Sequence, residues 1–498
     1  MNNDEFQLTL QQKEAVEYLN GPSIISAGPG SGKTRTLTAK AAQLIQMNYP
    51  TDRLLAITFT NKANKELTER LVKYTGFHAH YFPNVSTCHS WCVQILKYFS
   101  SKVGLNTPFS IFSASIHKEA VQFVLKALNI NLTFTDDIIN TLSLAKISGD
   151  PFGYISRMNN NQTMRQIYDA HEELLLKQNA VHFDGILLHT RNILRDFEDV
   201  RETVKNYYRY ILVDEFQDWN DIQNEILSYV VNNGNITVVG DVSQSIYGFR
   251  GANPSHFFQF NSRYPNAVSF RLDENFRCSE VIVNAANSLI SKNRNQIYTP
   301  CFSRKQGPLI DVIGFMSSGD EAHWIAQQCR AYLDQYDISF RRIGILARNI
   351  SGLKDIERTL MQHNVPFKKV GSNNLCDTHQ KVDEFVEDIN LLIEDGEATN
   401  KGAIHLSTIH AAKGLGYKVV FIVATEQGVL PDYRSISNQP GKQTMDLEEE
   451  RRLMFVAMTR CETNLIITYS GNRNNFDNEK STFINDLPQN LIRCFNIN

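Results

Sequence analysis

Ser23-Ile24-Ile25-Ser26-Ala27-Gly28-Pro29-Gly30-Ser31-Gly32-Lys33-Thr34 is the stretch whose reading decides the fold. A short apolar run enters a glycine-rich turn, and residues 34–45 then show helical periodicity, so the order is strand, loop, helix. A phosphate-binding loop needs that context. Glycines let backbone N–H groups close around phosphate oxygens, and the helix N-terminus adds a favourable dipole. Lys33 then reaches the β and γ phosphates and Thr34 offers a hydroxyl to Mg2+. Gly28, Gly30, Ser31, Gly32, Lys33 and Thr34 are therefore candidate ATP ligands.

Working outward, short apolar runs at 54–59, 211–213, 236–239, 343–347, 419–423 and 465–468 read as buried parallel strands separated by helical stretches. In 220–230, Ile222, Ile226, Tyr229 and Val230 share one helical face, as on a helix packed against a sheet. Between 91 and 182 the strand-like runs vanish, and Val121, Val124, Leu125 and Leu128 recur at helical spacing. The expectation is an α/β protein with two parallel-sheet domains, the first carrying a helical insertion. The run at 211–213 ends in Asp214-Glu215-Phe216-Gln217-Asp218, where a P-loop sheet places its Mg2+ ligand and water-activating base. Asp214 is the candidate metal ligand beside Thr34, and Glu215 the candidate base. Acids after a strand also serve as turn and cap residues, so this assignment leans on the phosphate loop.

Composition narrows the function classes. A chain of 498 residues fits about three domains, and 42% hydrophobic with 21% charged residues excludes low-complexity and fibrous proteins. Because 50 Lys+Arg face 53 Asp+Glu, nucleic-acid binding has to come from a local basic face. Eight cysteines without a Cys-x-x-Cys pair fit free thiols in a reducing compartment. Neither a leader-like N-terminus nor a long apolar run is visible, so a cytoplasmic protein with no membrane partner is expected. His78, His80, Cys88, His89 and Cys92 crowd enough to raise a zinc site, but Cys88 and Cys92 lie one helical turn apart and His89 has another reading below.

Further strings occur in order along nearly the whole chain. The first half holds Leu8-Thr9-Leu10-Gln11-Gln12-Lys13-Glu14-Ala15-Val16, Ile57-Thr58-Phe59-Thr60-Asn61-Lys62-Ala63, Thr87-Cys88-His89-Ser90 and Val239-Gly240-Asp241-Val242-Ser243-Gln244-Ser245-Ile246-Tyr247-Gly248-Phe249-Arg250-Gly251-Ala252. The second half holds Leu272-Asp273-Glu274-Asn275-Phe276-Arg277, Thr408-Ile409-His410-Ala411-Ala412-Lys413-Gly414-Leu415 and Glu448-Glu449-Glu450-Arg451-Arg452-Leu453-Met454-Phe455-Val456-Ala457-Met458-Thr459-Arg460. With these the sequence resembles the UvrD/Rep/PcrA family of superfamily 1 DNA helicases.

The resemblance implies two RecA-like P-loop NTPase domains that clamp one ATP. The first (1A) would span 1–90 and 183–271, with a helical insertion (1B) at 91–182. The second (2A) would span 272–372 and 404–498. By the same resemblance Gln12 reads adenine, Arg35 and Phe276 sandwich it, Gln244 senses the γ-phosphate, and Arg277 and Arg460 reach it from the second domain. Phe59, Tyr247 and Phe249 would stack bases of single-stranded DNA, with Lys62 and His89 nearby. For an isolated Phe59 the ordinary alternative is the end of a buried strand. Asp446 reads as the N-cap of a helix that carries Arg460 toward the cleft, with Glu449 three residues on.

Three departures from the family pattern stand out. The large 2B insertion is reduced to 373–403, with room for a linker and one helix at 382–393. The family's ribose-contacting Glu is Gly416, which implies relaxed nucleotide selectivity. A stacking Trp is Phe249, which keeps a π-face but loses area and the indole donor. The implied function is an ATP- and Mg2+-dependent translocase or helicase on single-stranded and 3′-tailed duplex DNA, moving 3′ to 5′. The competing class is a DNA- or nucleotide-sensing ATPase subunit that activates a partner nuclease, as the helicase-like subunit of Gabija anti-phage systems does. A kinase or GTPase using the same loop lacks the Gln244 to Arg250 string and a second α/β half with two candidate arginines.

Overall fold

The computed structural model describes residues 7–294, 300–370, 380–381, 402–436, 442–473 and 476–497. The sequence-expected helix at 382–393, and all but a few residues of the reduced 373–403 segment, lie outside them. In the N-terminal half the strands are β1 (Ser23–Ala27), β2 (Leu54–Thr58), β3 (Val85–Thr87), β4 (Ser110–Phe112), β5 (Ala180–His182), β6 (Tyr210–Val213), β7 (Ile236–Gly240) and β8 (Val268–Leu272). Six of them form one sheet in the order β3-β2-β6-β7-β1-β8, and every pairing is parallel. Strands buried on both faces explain the continuous apolar runs that marked them in the sequence.

The C-terminal half adds β9 (Ile310–Ser317), β10 (Ile343–Ala347), β11 (Phe367–Val370), β12 (Gln380–Lys381), β13 (Ile404–Thr408), β14 (Tyr417–Ile422), β15 (Cys461–Arg473), β16 (Phe476–Asp477) and β17 (Ile492–Ile497). Its sheet runs β11-β13-β10-β14-β15-β9-β17, all parallel, with β16 antiparallel against β15. Each sheet is covered on both faces by helices, and the buried residues divide into two clusters per sheet. The molecule is thus α/β with two RecA-like parallel-sheet units. In the first sheet the strings after β1, β2, β3, β6 and β7 begin where strands end at their carboxyl edges, the crevice where open α/β sheets bind ligands, whereas Arg460 stands directly before β15.

The helical insertion has its own core, in which Val121, Val124 and Leu125 pack against Leu142, Met164 and Ile167. The expected loss of strands between 91 and 182 is corrected at two points, since β4 and β5 pair in parallel at the base of the insertion. Three-residue strands are too short for period-two alternation to register. The helix Cys88–Phe99 packs with the first sheet, and Trp91 Nε1 donates to Tyr208 Oη at 3.0 Å within that core. Asp446 is not an N-cap: the helix starts one turn earlier, at Lys442, and runs to Met458, with Arg460 two residues beyond its end. Among the described residues no helix is long and apolar enough to cross a membrane.

Candidate nucleotide and nucleic-acid sites

The phosphate loop is held from three sides. Gly28 N donates to Leu272 O at 3.2 Å, which ties the loop's start to β8, and Ser31 Oγ donates to Gly28 O at 2.7 Å. Gly30 and Gly32 have φ of +66° and +86°, which L side chains rarely adopt. A Cβ on Gly30 would also lie 2.8 Å from Arg277 Cβ, and one on Gly32 2.8 Å from Gln12 Nε2. Helix Lys33–Gln46 begins without a side-chain cap, leaving its first N–H groups to an anion. Lys33 Nζ curls back to within 3.4 Å of Ala27 O and Gly28 O. Gln12 stands behind this loop: its Nε2 donates to Ser31 O at 2.9 Å, and its Oε1 closes a capping box with Thr9.

Strand β6 delivers the two acids. Thr34 Oγ1 donates to Asp214 Oδ2 at 3.1 Å, so a hydroxyl and a carboxylate, both hard oxygen donors suited to Mg2+, share one spot. Glu215 takes a left-handed φ of +48°, a strained conformation for a residue with a side chain. It is held by its own N–H on Asp214 Oδ1 at 2.9 Å and by Gln217 Nε2 on its Oε2 at 2.5 Å. Burial and the neighbouring Glu215 push the Asp214 carboxyl up. Burial pushes Glu215 the same way, but Lys33, Lys413, the Gln217 hydrogen bond and Arg460 outweigh it and keep this carboxyl below its usual range, so it is ionised and able to accept a proton at neutral pH.

The connection that leaves β8 and the second-sheet unit it leads into supply the opposite wall. Asn275 Nδ2 donates to Pro29 O at 2.7 Å and Phe276 N to Gly30 O at 2.9 Å, so the string after β8 is laced to the loop itself. Arg460, 2% exposed, donates from Nη2 to Gln244 Oε1 at 3.1 Å, and Gln244 Nε2 donates to Asp241 Oδ2 at 2.6 Å. Arg277 Nη1 reaches Thr459 O at 3.3 Å. Burial and the adjacent Arg277 lower Arg460 to about 9, which leaves it charged at neutral pH. These groups surround a cleft of about 510 Å³, whose walls include Lys33, Thr34, Arg35, Glu215, Gln244, Phe276, Arg277 and Arg460. Glu66, Arg70 and Tyr74 also line it and escaped the sequence reading. They sit four residues apart on one face of helix Asn61–Thr75, a spacing that in sequence alone reads as a solvated helix face. Gly416 stands beside Arg277, whose Nε would be 3.5 Å from a Cβ there.

Beside the cleft lies a row of aromatics. Phe59 is not the end of a buried strand, because β2 stops at Thr58 and the half-buried ring stacks on Tyr247 at 5.1 Å and 25°. Phe249 is 56% exposed and meets His410 edge-on at 5.3 Å, while Arg250 lies 5.7 and 5.6 Å from the Tyr247 and Phe249 rings. Lys62 is exposed on the first turn of helix Asn61–Thr75. His89 stacks on Phe183 at 3.8 Å, a ring the sequence reading missed, and burial lowers His89 to about 3. His78 and His80 stack on each other while Cys92 is buried in the first-sheet core, and among the described residues no group of three metal-ligating side chains converges.

A phosphate loop and paired acids on one parallel sheet, faced by two arginines from the opposite wall, define a two-domain P-loop ATPase. The sequence model of the UvrD/REP helicase N-terminal domain matches residues 8–265, and that of the UvrD-like helicase C-terminal domain matches 270–380 and 376–472. The chain belongs to the UvrD/Rep family of ATP-dependent DNA helicases, which are ATP-hydrolysing enzymes. It is 25% identical to the ATP-dependent DNA helicase PcrA of Staphylococcus aureus over 641 residues, covering 97% of this chain and 87% of the relative. A probable DNA helicase II homolog of Mycoplasma capricolum is 26% identical over 638 residues, with the same coverage. PcrA of Leuconostoc citreum is 32% identical over 381 residues, covering 75% of this chain and 51% of the relative. The 641 aligned positions exceed the 498 residues here, so stretches of that relative have no counterpart in this chain.

Proposed function

We propose that this protein is an ATP- and Mg2+-dependent motor that moves 3′ to 5′ on single-stranded DNA. Domains 1A (1–90 and 183–271) and 2A (272–372 and 404–498) close and open on the nucleotide, and 1B (91–182) flanks the strand. The single observation that carries this is the Arg460–Gln244 hydrogen bond, a second-domain guanidinium lodged against a first-domain amide beside Lys33 and Glu215. In this reading the loop amides and Lys33 hold the phosphates, and Glu215 takes the proton of the attacking water. Gln244, Arg277 and Arg460 gather around the γ-phosphate, while Arg35 and Phe276 flank the base and Gln12 braces the loop beneath it. Thr34 and Asp214 would hold Mg2+, which supplies charge neutralisation on the phosphate oxygens when bound. Loss of the γ-phosphate removes what both walls grip, so the domains part and the hold of Phe59, Tyr247 and Phe249 on bases shifts, with Lys62 and His89 alongside.

A second reading is supported by the C-terminal family match breaking at 376–380, where the 2B insertion was expected and only 373–403 remains. In it the protein is a DNA- or nucleotide-sensing ATPase subunit that activates a partner nuclease, of the anti-phage kind. One experiment separates the two: steady-state ATP hydrolysis with no DNA, single-stranded DNA or blunt duplex, alongside displacement from 3′- and 5′-tailed duplexes. Stimulation by single strands with displacement only from the 3′-tailed substrate supports the motor. Stimulation without displacement supports the sensing subunit, and absence of stimulation defeats the motor and the DNA-sensing form of the subunit.

A further inference from the structure

Lys413 lies in the second domain, on the turn after β13, yet its ammonium is spent in the first domain. Nζ pairs with Asp218 Oδ2 and donates to Gln244 O at 2.6 Å, and the side chains of Lys413 and Asp218 are 6% and 0% exposed. Asp218 leads back to the candidate base. Gln217 Nε2 sits between Asp218 Oδ2 at 3.3 Å and Glu215 Oε2 at 2.5 Å, and its Oε1 accepts from Asp241 N at 2.9 Å. Asp218 Oδ1 is buried with no hydrogen-bond partner among the described residues, so this carboxylate depends on Lys413 for its charge balance.

The other side of Lys413 faces the aromatic row. Its Nζ is 5.0 Å from the Tyr247 ring centroid, and Tyr247 is the ring that stacks on Phe59. The Tyr247 hydroxyl donates to His410 O at 3.2 Å, three residues before Lys413 on the same turn. One turn is therefore gripped twice by Tyr247, and its lysine is anchored two side chains from Glu215. A base entering between Phe59 and Tyr247 must part these rings, and Tyr247 cannot move without disturbing both of its contacts with that turn.

We infer that Lys413 is the positioning residue through which single-stranded DNA in the Phe59–Tyr247 slot sets the carboxylate of Glu215, so that DNA stimulates hydrolysis by way of Asp218 and Gln217. This rests on the reading of the protein as a DNA-stimulated ATPase. A pure domain clamp would use the same ion pair, but removing it would lower basal and stimulated turnover alike.

The test uses the full chain and compares wild type, K413M, K413R, D218N and the K413M/D218N double variant, each first checked for an unchanged melting profile. The readout is the ratio of turnover with saturating single-stranded DNA to turnover without it, together with DNA affinity by fluorescence anisotropy. The ratio should fall by at least about fivefold in K413M and in D218N, the lower end of ordinary coupling between sites. It should fall no further in the double variant and recover in part in K413R, while saturating DNA still binds. An unchanged ratio in K413M, or equal loss of basal and stimulated rates, overturns the inference while leaving the motor reading intact. A wild type that DNA does not stimulate removes that reading itself, and the inference with it. If K413M melts early, D218N carries the same comparison from the other domain.

Discussion

The nucleotide cleft and the base of the helical insertion both bury titratable groups, and they treat them oppositely. In the cleft Lys33, Lys413 and Arg460 hold Glu215 in its charged form, while burial pushes its neighbours Asp214, Asp218 and Asp241 up. At the insertion, His117 Nε2 lies 3.1 Å from His171 Nε2 and the His117 ring stacks on His182 at 3.5 Å. There burial holds His117 down to about 3 and His189 to about 4, and it lowers His171 and His182 as well, while the paired ions are Lys146 and Glu172. Where cations from two domains converge on one buried acid, the fold has chemistry to do; where buried histidines lose their charge around a single ion pair, the polar groups serve architecture.

If that contrast is right, replacing a cleft ion should cost catalysis first. Arg460→Ala should lower turnover by roughly 10³–10⁵-fold, the range for an arginine that meets transition-state charge, and should also free Gln244. Glu215→Gln should lose about 10²–10⁴-fold as expected for a general base, with nucleotide still bound. Single-turnover hydrolysis and fluorescent-nucleotide titration check both, and brisk turnover by either variant would mean that the phosphate chemistry lies elsewhere.

The aromatic row predicts a smaller effect of a different kind. Tyr247→Ala with Phe249→Ala removes two stacking faces at about 1–3 kcal/mol each, so DNA affinity should drop steeply while hydrolysis without DNA continues. Anisotropy with a labelled oligonucleotide measures it, and unaltered affinity would move the DNA face away from these rings. Tyr247 also touches Lys413 and His410, so part of any change in stimulation belongs to that contact and not to stacking.

How far the sequence foretold all this follows the same contrast. Strand β1 and the phosphate loop were legible because a fixed local string dictates strand, turn and helix, and β10 was legible as an uninterrupted apolar run. Glu66, Arg70 and Tyr74 were not, because a Glu-Arg-Tyr stripe on an exposed helix reads as ordinary solvated surface until a second domain faces it. Phe183 was missed for a similar reason: its partner His89 is almost a hundred residues earlier, and only the packing of helix Phe183–Asp196 brings them together. Asp446 misled because cap chemistry is local whereas the helix begins at Lys442. Long-range pairings such as Lys413 with Asp218 leave no local pattern at all.

The smallest predicted effect reads the two regions against each other through pH. For His117 and His189 the unfolded chain binds more protons than the native one between about 3 or 4 and 6.5, so native stability falls as pH drops below about 6.5. At pH 5 this amounts to about 2 kcal/mol per buried histidine. Asp218 has the opposite sign: burial raises it to about 7 despite Lys413, so between its ordinary value and 7 the native state binds the extra proton and acid favours it. Lowering the pH from 7.5 to 5 should therefore loosen helices Ala114–Ala127 and Asn161–Lys177 before helix Lys33–Gln46. Amide hydrogen exchange, with rates corrected for pH, resolves the order. Uniform loss of protection in all three helices would show that the histidines are not the weak point, and earlier loss at Lys33–Gln46 would reverse the contrast between the two regions.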